Sequence, residues 1–466
     1  MGKYESYIPS IYDWLGDIPN HWKEKSIRGI TKISSERLGG KNLPLLSVYR
    51  EYGVILKNSR DDNHNVESND LSNYKVVHEN DLVLNKMKMW QGSLGISKYD
   101  GIVSPAYIVC KIIDESINVD FLHFLLRTAN YKTYYNQYSY GVRIGQWDMH
   151  YDDFKNMRIY IPSRAEQDQI VRFLDWKVSE INKLIRIKKK YILNIKDYEK
   201  KLLNDKVLHG LHNEKKKFSG NKLIGDIPDT WNILCLGRFC FFQNGISESS
   251  DFFTSGTPFV GYGDVYRHIE LPINVSGTAK ASKKQQELFS VQKDDIFFTR
   301  TSENIEEIGM AAVCSHTIDK AIFSGFLIRC RQKEKYVISD YMKYYLQIPA
   351  VRNHFSANVN IVIRASLNQN LLKTLPVVIP PENEQKEIAS YLDSKHRNFT
   401  KLIEVMLKEI NELKELKNTI ISDVVTGKID VRSVAIPEYE HIDDAADAAG
   451  GEESAEELAD AEEMEA

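Results

Sequence analysis

The chain has 466 residues, of which 42% are hydrophobic and 11% aromatic, enough for two or three folded domains each with its own core. No apolar run approaches the ~18 residues of a membrane span, and no signal peptide is read at the N-terminus, so a cytoplasmic location is expected. The formal charge of −4 hides an asymmetry: residues 438–466 carry thirteen acidic side chains and no Lys or Arg, and without them 61 basic side chains face 52 acidic ones. A basic body with an acidic tail suits a polyanionic partner. The five cysteines are odd in number and include no Cys-x-x-Cys, which excludes a zinc ribbon or a disulfide frame and predicts reduced thiols.

In chain order, a turn reading Gly16-Asp-Ile-Pro-Asn-His-Trp22 comes first. Alternating, β-branched runs at 43–49, 74–77, 82–85 and 101–112 predict strands. A helix is predicted over 119–138 and a last strand over 157–161, ending at Pro162. From 165 to 208 there is no Gly or Pro, and Leu174, Val178, Ile181, Ile185, Ile192, Ile195 and Leu202 recur at three- and four-residue steps. Lys188 and Glu199 occupy positions in the same seam. After a Lys-rich linker the series repeats. A second Gly225-Asp-Ile-Pro-Asp-Thr-Trp231 turn leads to predicted strands at 258–265, 295–300, 310–314 and 321–330, a helix at 339–355 and a strand at 375–379. A second uninterrupted run covers 382–425, with Leu392, Phe399, Leu402, Met406, Leu413, Leu416 and Ile420 as its seam. Each run makes a helix of about 60 Å at 1.5 Å per residue, and a helix that long with one narrow apolar seam needs a partner helix.

The repeat is a duplication. Ile18 returns as Ile227, 209 residues on; Asp81-Leu82 returns as Asp295-Ile296, and Leu94-Gly95-Ile96 as Ile308-Gly309-Met310, 214 on. Ile161-Pro162 with Glu166-Gln167 returns as Ile379-Pro380 with Glu384-Gln385, 218 on. The expected fold class is α+β: two duplicated mixed α/β domains separated by two long helices that form an antiparallel coiled coil with pseudo-twofold symmetry. Two copies of a module on a fixed spacer suit a ligand with its own near-symmetry, such as duplex DNA.

Catalytic motifs are missing. There is no Gly-x-x-x-x-Gly-Lys-Ser/Thr, no Gly-x-Gly-x-x-Gly and no Asn/Asp-Pro-Pro-Tyr/Phe. His209-x-x-His212 lacks a third ligand nearby, so no metal site and no catalytic residue is assigned. Candidate DNA-binding residues fall in three strips. The first follows a strand in each half: Lys86, Lys88 and Gln91, aligned with Arg300, Thr301, Ser302 and Asn304. The second precedes the last strand: Arg143 and Gln146, aligned with Arg364, Ser366, Asn368 and Gln369. The third is Ser47, Tyr49 and Arg50 against Tyr262. Arg, Lys, Asn and Gln pair with base edges in the major groove, and the same groups bind phosphates. Tyr131, Tyr134, Tyr135 and Tyr138 lie at helical spacing and read as core packing.

The duplicated Gly-Asp-Ile-Pro-x-x-Trp turns, the Ile-Pro…Glu-Gln helix starts and the long helices together resemble the specificity subunit of type I restriction–modification enzymes, over about residues 7 to 432. The resemblance implies target recognition domains at 1–163 and 222–381, conserved helical regions at 164–210 and 382–427 and a linker at 211–221; composition predicts that the acidic C-terminal extension at 428–466 is disordered. It implies that the coiled coil is a ruler and that the two domains read the halves of a bipartite, asymmetric sequence in double-stranded DNA. The chain itself would be no enzyme and bind no cofactor. It would dock two methyltransferase subunits and, through them, restriction and motor subunits; S-adenosylmethionine, ATP and Mg would sit on those partners. The acidic extension is not expected of the family. The competing reading is a coiled-coil scaffold whose end domains bind other proteins.

Overall fold

A computed structural model describes residues 2–39, 42–50, 52–59, 70–143, 146–302, 307–357 and 365–442. It divides into two compact units, Met1–Tyr191 with Val405–Ala466, and Ile192–Glu404.

In the first unit a hairpin of Tyr7–Pro9 and Asp17–Pro19 precedes an antiparallel sheet in the order Thr31–Ile33, Ile108–Ile112, Leu82–Leu84, Leu94–Ile96. Lys23–Ser26 pairs separately with Arg158–Ile161, the strand that feeds the first long helix, Arg164–His209. One sheet face packs on Phe121, Leu125, Tyr131, Tyr135, Phe154 and Phe173; the other covers Val48, Val54, Val77 and Val103. The second unit repeats the plan. A hairpin of Lys216–Phe218 and Asp226–Pro228 precedes a sheet ordered Cys240–Asn244, Leu327–Gln332, Ile296–Thr299, Ala311–Val313. Asn232–Cys235 pairs with Pro376–Ile379, which leads into the second long helix, Glu382–Val425.

The repeated motifs are explained by repeated hydrogen bonds. Trp22 Nε1 donates to Glu166 (3.0 Å), and Trp231 Nε1 donates to Glu384 (2.8 Å). The next residue clamps the chain entering the helix. Gln167 Nε2 donates to the carbonyls of Ser116 and Pro162, both at 3.0 Å, while its Oε1 accepts from Asn118 N–H. Gln385 does the same with Tyr336, Pro380 and Ile338 N–H. Both glutamines are buried, so three satisfied bonds each are what make burial tolerable. Each long helix stops at a left-handed glycine, Gly210 (φ 75) and Gly427 (φ 79), the usual helix terminator. Gly210 lies against Trp231, and Gly427 lies against Pro19 and Trp22.

The helices run antiparallel within each unit. In the first, Lys188 pairs with Glu409 (2.7 Å) and Lys417 Nζ donates to Asn182 (3.3 Å). In the second, His396 pairs with Glu199 (2.7 Å) and Tyr198 meets Phe399 edge-on. Both polar seam residues, Lys188 and Glu199, thus have a partner on the opposite helix.

Several expectations change. Leu402 and Leu416 are exposed; at these two points the seam of the second helix passes through the next residues, Ile403 and Lys417, the latter donating to Asn182, and Ile410 between them is buried, while Leu392, Phe399, Met406, Leu413 and Ile420 are buried or partly buried as expected. The predicted helix at 119–138 is two, Val119–Leu126 and Ala129–Tyr138, the second capped by Thr128. The helix at 339–355 breaks before Pro349, since the residue before proline disfavours the helical region. The run 101–112 is two strands parted at Pro105, which lacks a donor, and 321–330 is parted by a turn at Gly325. Strand 258–265 ends at Val260; Asp264 accepts from Gly261 N–H (2.7 Å) and starts a helical turn, Tyr262–Tyr266. The linker at 211–221 contains the strand Lys216–Phe218. Residues 428–442, expected to be disordered, pack on the first unit: Val431 is buried, Gln169 Nε2 donates to the carbonyls of Val431 and Val434, and Ser179 Oγ accepts from Ile442 N–H. The expectation for 443–466 lies outside the described residues.

Candidate nucleic-acid interface

In the first unit, Leu82–Leu84 runs out into a 3₁₀ turn, Lys86–Gln91. Gly92 closes the turn at φ 91. Trp90 meets Trp147 with ring centroids 5.2 Å apart, and Lys86 Nζ lies 3.2 Å from Asp148. The first strip therefore sits against the hairpin of Ser139–Arg143 and Gln146–Met149, which carries the second. Lys88 is exposed, whereas Lys86 is engaged by Asp148. Tyr131, Tyr134 and Tyr135 are buried as expected, and burial raises their pKa values; Tyr138, read with them as core, is instead exposed and stacks on Tyr134 (4.3 Å), and Tyr140 is exposed too.

The second unit brings the same two strips together. Thr301–Ser302 pairs antiparallel with Ala365–Ser366, Thr301 opposite Ser366. Arg300 is held through its backbone: its N–H donates to Phe326 (2.9 Å) and its carbonyl accepts from Leu367 N–H (2.8 Å). Asn368 is a helix cap, accepting from Leu371 N–H (2.9 Å), so its side chain has a structural task the sequence reading missed. Gln369 Nε2 donates to Asn244 (3.1 Å). Tyr262 stacks on Tyr266 (5.7 Å), and burial raises its pKa. Asn304 and Arg364 lie outside the described residues, as do the side chains of Arg143, Gln146, Ser302 and Ser366.

In the third strip, Ser47 and Tyr49 lie on Leu46–Tyr49, which turns back as Gly53–Leu56. Arg127 Nη2 donates to the carbonyl of Arg50 (3.0 Å), tying this hairpin to the helical layer. Gly53 is required there: it has φ 74, and a Cβ would lie 2.7 Å from Arg127 Nη1. Beside the hairpin opens a cleft of about 460 Å³. Arg50 and Gln91 line it with Arg127, Lys132, Lys189, Lys414 and Lys417; among the described residues no Asp or Glu does. The last five were not singled out in sequence, where only the neighbouring Lys188 was noted, as a seam residue. His123, also in the cleft, accepts from Ile96 N–H at Nδ1 (3.1 Å). Desolvation, then the Arg127 charge, holds its pKa well below the usual histidine value.

The family described as type I restriction modification DNA specificity domain matches the chain twice, over residues 19–194 and 228–415, well over half of its length. The chain belongs to that family. The specificity chain is 23% identical over 372 residues to the type I restriction enzyme MjaVIII specificity subunit of Methanocaldococcus jannaschii, covering 77% of this chain and 81% of that one. It is 22% identical over 445 residues to a protein of the same organism assigned as the MjaX specificity subunit, covering 90% of this chain and 96% of that one. Its fold matches that of a solved structure concerned with complex assembly and conformational transition of the type I R-M system, at a TM-score of 0.65 and 16% identity over 88% of this chain and 99% of that one. It also matches the HsdS subunit of Thermoanaerobacter tengcongensis, at 0.51 and 16% over 90% and 100%.

In the specificity chain both matches start at the Ile-Pro of a turn and run into a long helix. Among the described residues no helix is long and apolar enough to cross a membrane, and no group of three His, Cys, Asp or Glu side chains is placed to hold a metal ion. His209 Nδ1 bonds Asp205 (2.9 Å), and His212 lies 3.5 Å from Glu387. The five cysteines are free thiols; burial pushes Cys110 and Cys314 up to about 12.

Proposed function

We propose that this specificity chain reads a bipartite, asymmetric sequence in double-stranded DNA, one half with each domain, and that the paired helices set the distance between the halves. The observation that carries the reading is the duplicated frame with unlike edges. Both domains repeat the Trp–Glu bond and the Gln clamp, and both bring the first two strips together, yet at the 214-residue offset Lys86, Met87 and Lys88 of one edge stand where the other has Arg300, Thr301 and Ser302. A conserved scaffold with different polar edges is what two readers of two different half-sites need.

The chain's work is then recognition and assembly. Two methyltransferase subunits dock on it and recruit restriction and motor subunits; adenine methylation with S-adenosylmethionine and ATP- and Mg-dependent cleavage belong to those partners in the cytoplasm. Of the candidate residues, Lys88, Gln91, Arg300 and Thr301 are assigned to the target at the edge of each domain. Arg300→Ala should cost about 1–3 kcal/mol and relax one position if the contact is to a base, or weaken all sequences alike if it is to a phosphate. The decisive test exchanges residues 1–163 for those of a relative with another specificity and maps methylated adenines. The recognised sequence should change in one half only; a change in both halves would overturn the reading. Binding by the assembled complex that does not weaken with salt would instead favour protein-binding end domains.

A further inference from the structure

We infer that the coiled coil itself holds DNA: the basic cleft of the first unit is a phosphate-backbone site, shared between the recognition domain and both long helices. The inference rests on the DNA-reading function proposed above and adds residues that lie on no recognition strip.

Four parts of the fold converge on the cleft. Arg50 comes from the hairpin, Arg127 and Lys132 from the helical layer of the domain, and Lys189 and Lys414 from the two long helices. Lys132 and Lys414 are exposed, so they are free of the desolvation cost of burying a cation. With no carboxylate among its described lining residues, the cleft keeps its positive potential, which concave walls concentrate. Gln91, from the first recognition strip, lies in the same lining. A duplex whose base edges met that strip would pass its backbone over the cleft. Lysines on helix faces supply point charges without base discrimination, so the chemistry fits phosphodiesters. The helix pair would then fix the register of the first half-site as well as its distance from the second.

The acidic residues 443–466 are the rival polyanion, because the described chain ends beside the cleft. Asn182, one of its lining residues, donates to the carbonyl of Ile442 (3.2 Å).

The test uses the full chain assembled with its methyltransferase subunits and a duplex carrying the target found by methylation mapping. Affinity is measured against salt for wild type, the double variant Lys189→Gln/Lys414→Gln, and Lys190→Gln, a neighbour outside the cleft. Each lost phosphate contact lowers the slope of log affinity against log salt by about 0.9. The double variant should therefore lose about 1.8 in slope, weaken target and non-target duplexes alike and keep the same methylated sequence, while Lys190→Gln stays near wild type. A wild-type slope in the double variant, with target binding intact, would overturn the inference and leave the proposed function standing. Failure of the wild-type complex to bind any duplex would overturn that function first. A double variant that binds more tightly, and no longer responds to removal of 443–466, would assign the cleft to the tail and overturn the inference.

Discussion

The two units solve one folding problem with unequal polar networks. In the first, Glu166 gathers three partners: Trp22 and Tyr4 donate to one oxygen, and His21 lies 2.9 Å from the other. In the second, Glu384 accepts from Trp231. The inequality reverses at the sheet. Asp81 and Asp295 are both buried, and each accepts a backbone N–H three residues earlier. Only Asp295 also meets a guanidinium, Arg331, through two 2.6 Å bonds. Lys111, at the corresponding place, pairs instead with Glu36 at 3.7 Å. Duplication thus preserved the bonds that define the frame and let the supporting networks drift apart.

The comparison sharpens most at Arg331. Removing one member of a buried pair strands the other, so Arg331→Leu should destabilise the second unit by about 3–5 kcal/mol, against about 0.5 kcal/mol for Lys111→Leu in the first. Denaturant unfolding monitored in each unit checks this, and equal losses would erase the contrast. The second lever is the helix-start carboxylate. Glu166→Ala should cost about 3 kcal/mol and Glu384→Ala about half as much, since a hydrogen bond to a charged group contributes about 1.5–3 kcal/mol. Thermal melting of the two variants gives the ratio; a larger loss in Glu384→Ala would invert the assignment.

Acid should act on individual histidines in opposite directions. His396 has a raised pKa, first because of its hydrogen bond to Glu199. Its contribution is fully present below the unfolded value near 6.5 and is lost as pH rises through the higher folded value. His123 is depressed by burial, so the stability of its neutral ring is present above about 6.5 and is lost as pH falls below it. Going from neutral to mildly acidic solution should weaken the first unit through His123, while in the second the gain at His396 is opposed by His354, whose pKa is lowered by burial. The effect at half-exposed His396 should stay under about 1 kcal/mol, and His396→Ala should abolish the gain in the second unit. Smallest of all, Lys188→Ala should cost about 0.5 kcal/mol, as expected of a partly exposed pair, measured by melting at low and high salt.

Sequence made the duplicated frame legible because its bonds lie between motifs that repeat as words: a Trp in one turn and a Glu-Gln at one helix start. The long helices were legible for the same reason, since 44 and 46 residues without Gly or Pro leave few alternatives. What escaped depends on partners far apart in the chain. Leu416 was favoured over Lys417 for the seam because nothing local says that Asn182 lies opposite. Residues 428–442 group in sequence with the acidic tail that follows them, yet Ile429, Val431, Val434 and Ile436 join the first unit's core and the backbone finds Gln169, Ser179 and Asn182. At the candidate interface, Arg50 and Gln91 were found from their strips. Lys132, Lys189 and Lys414 were not, because a cleft built from elements far apart in the chain has no sequence signature. Asn368 carried the right chemistry for a base edge and turned out to cap a helix.

The most direct test of the account lengthens the spacer. One heptad inserted into both long helices, after Tyr191 and before Val405, keeps the seam in phase and adds about 10 Å, or about 3 base pairs of duplex. Mapping of methylated adenines should then return the same two half-sites with the gap between them widened by about 3 base pairs. The same half-sites at an unchanged gap would contradict the claim that the helices set it.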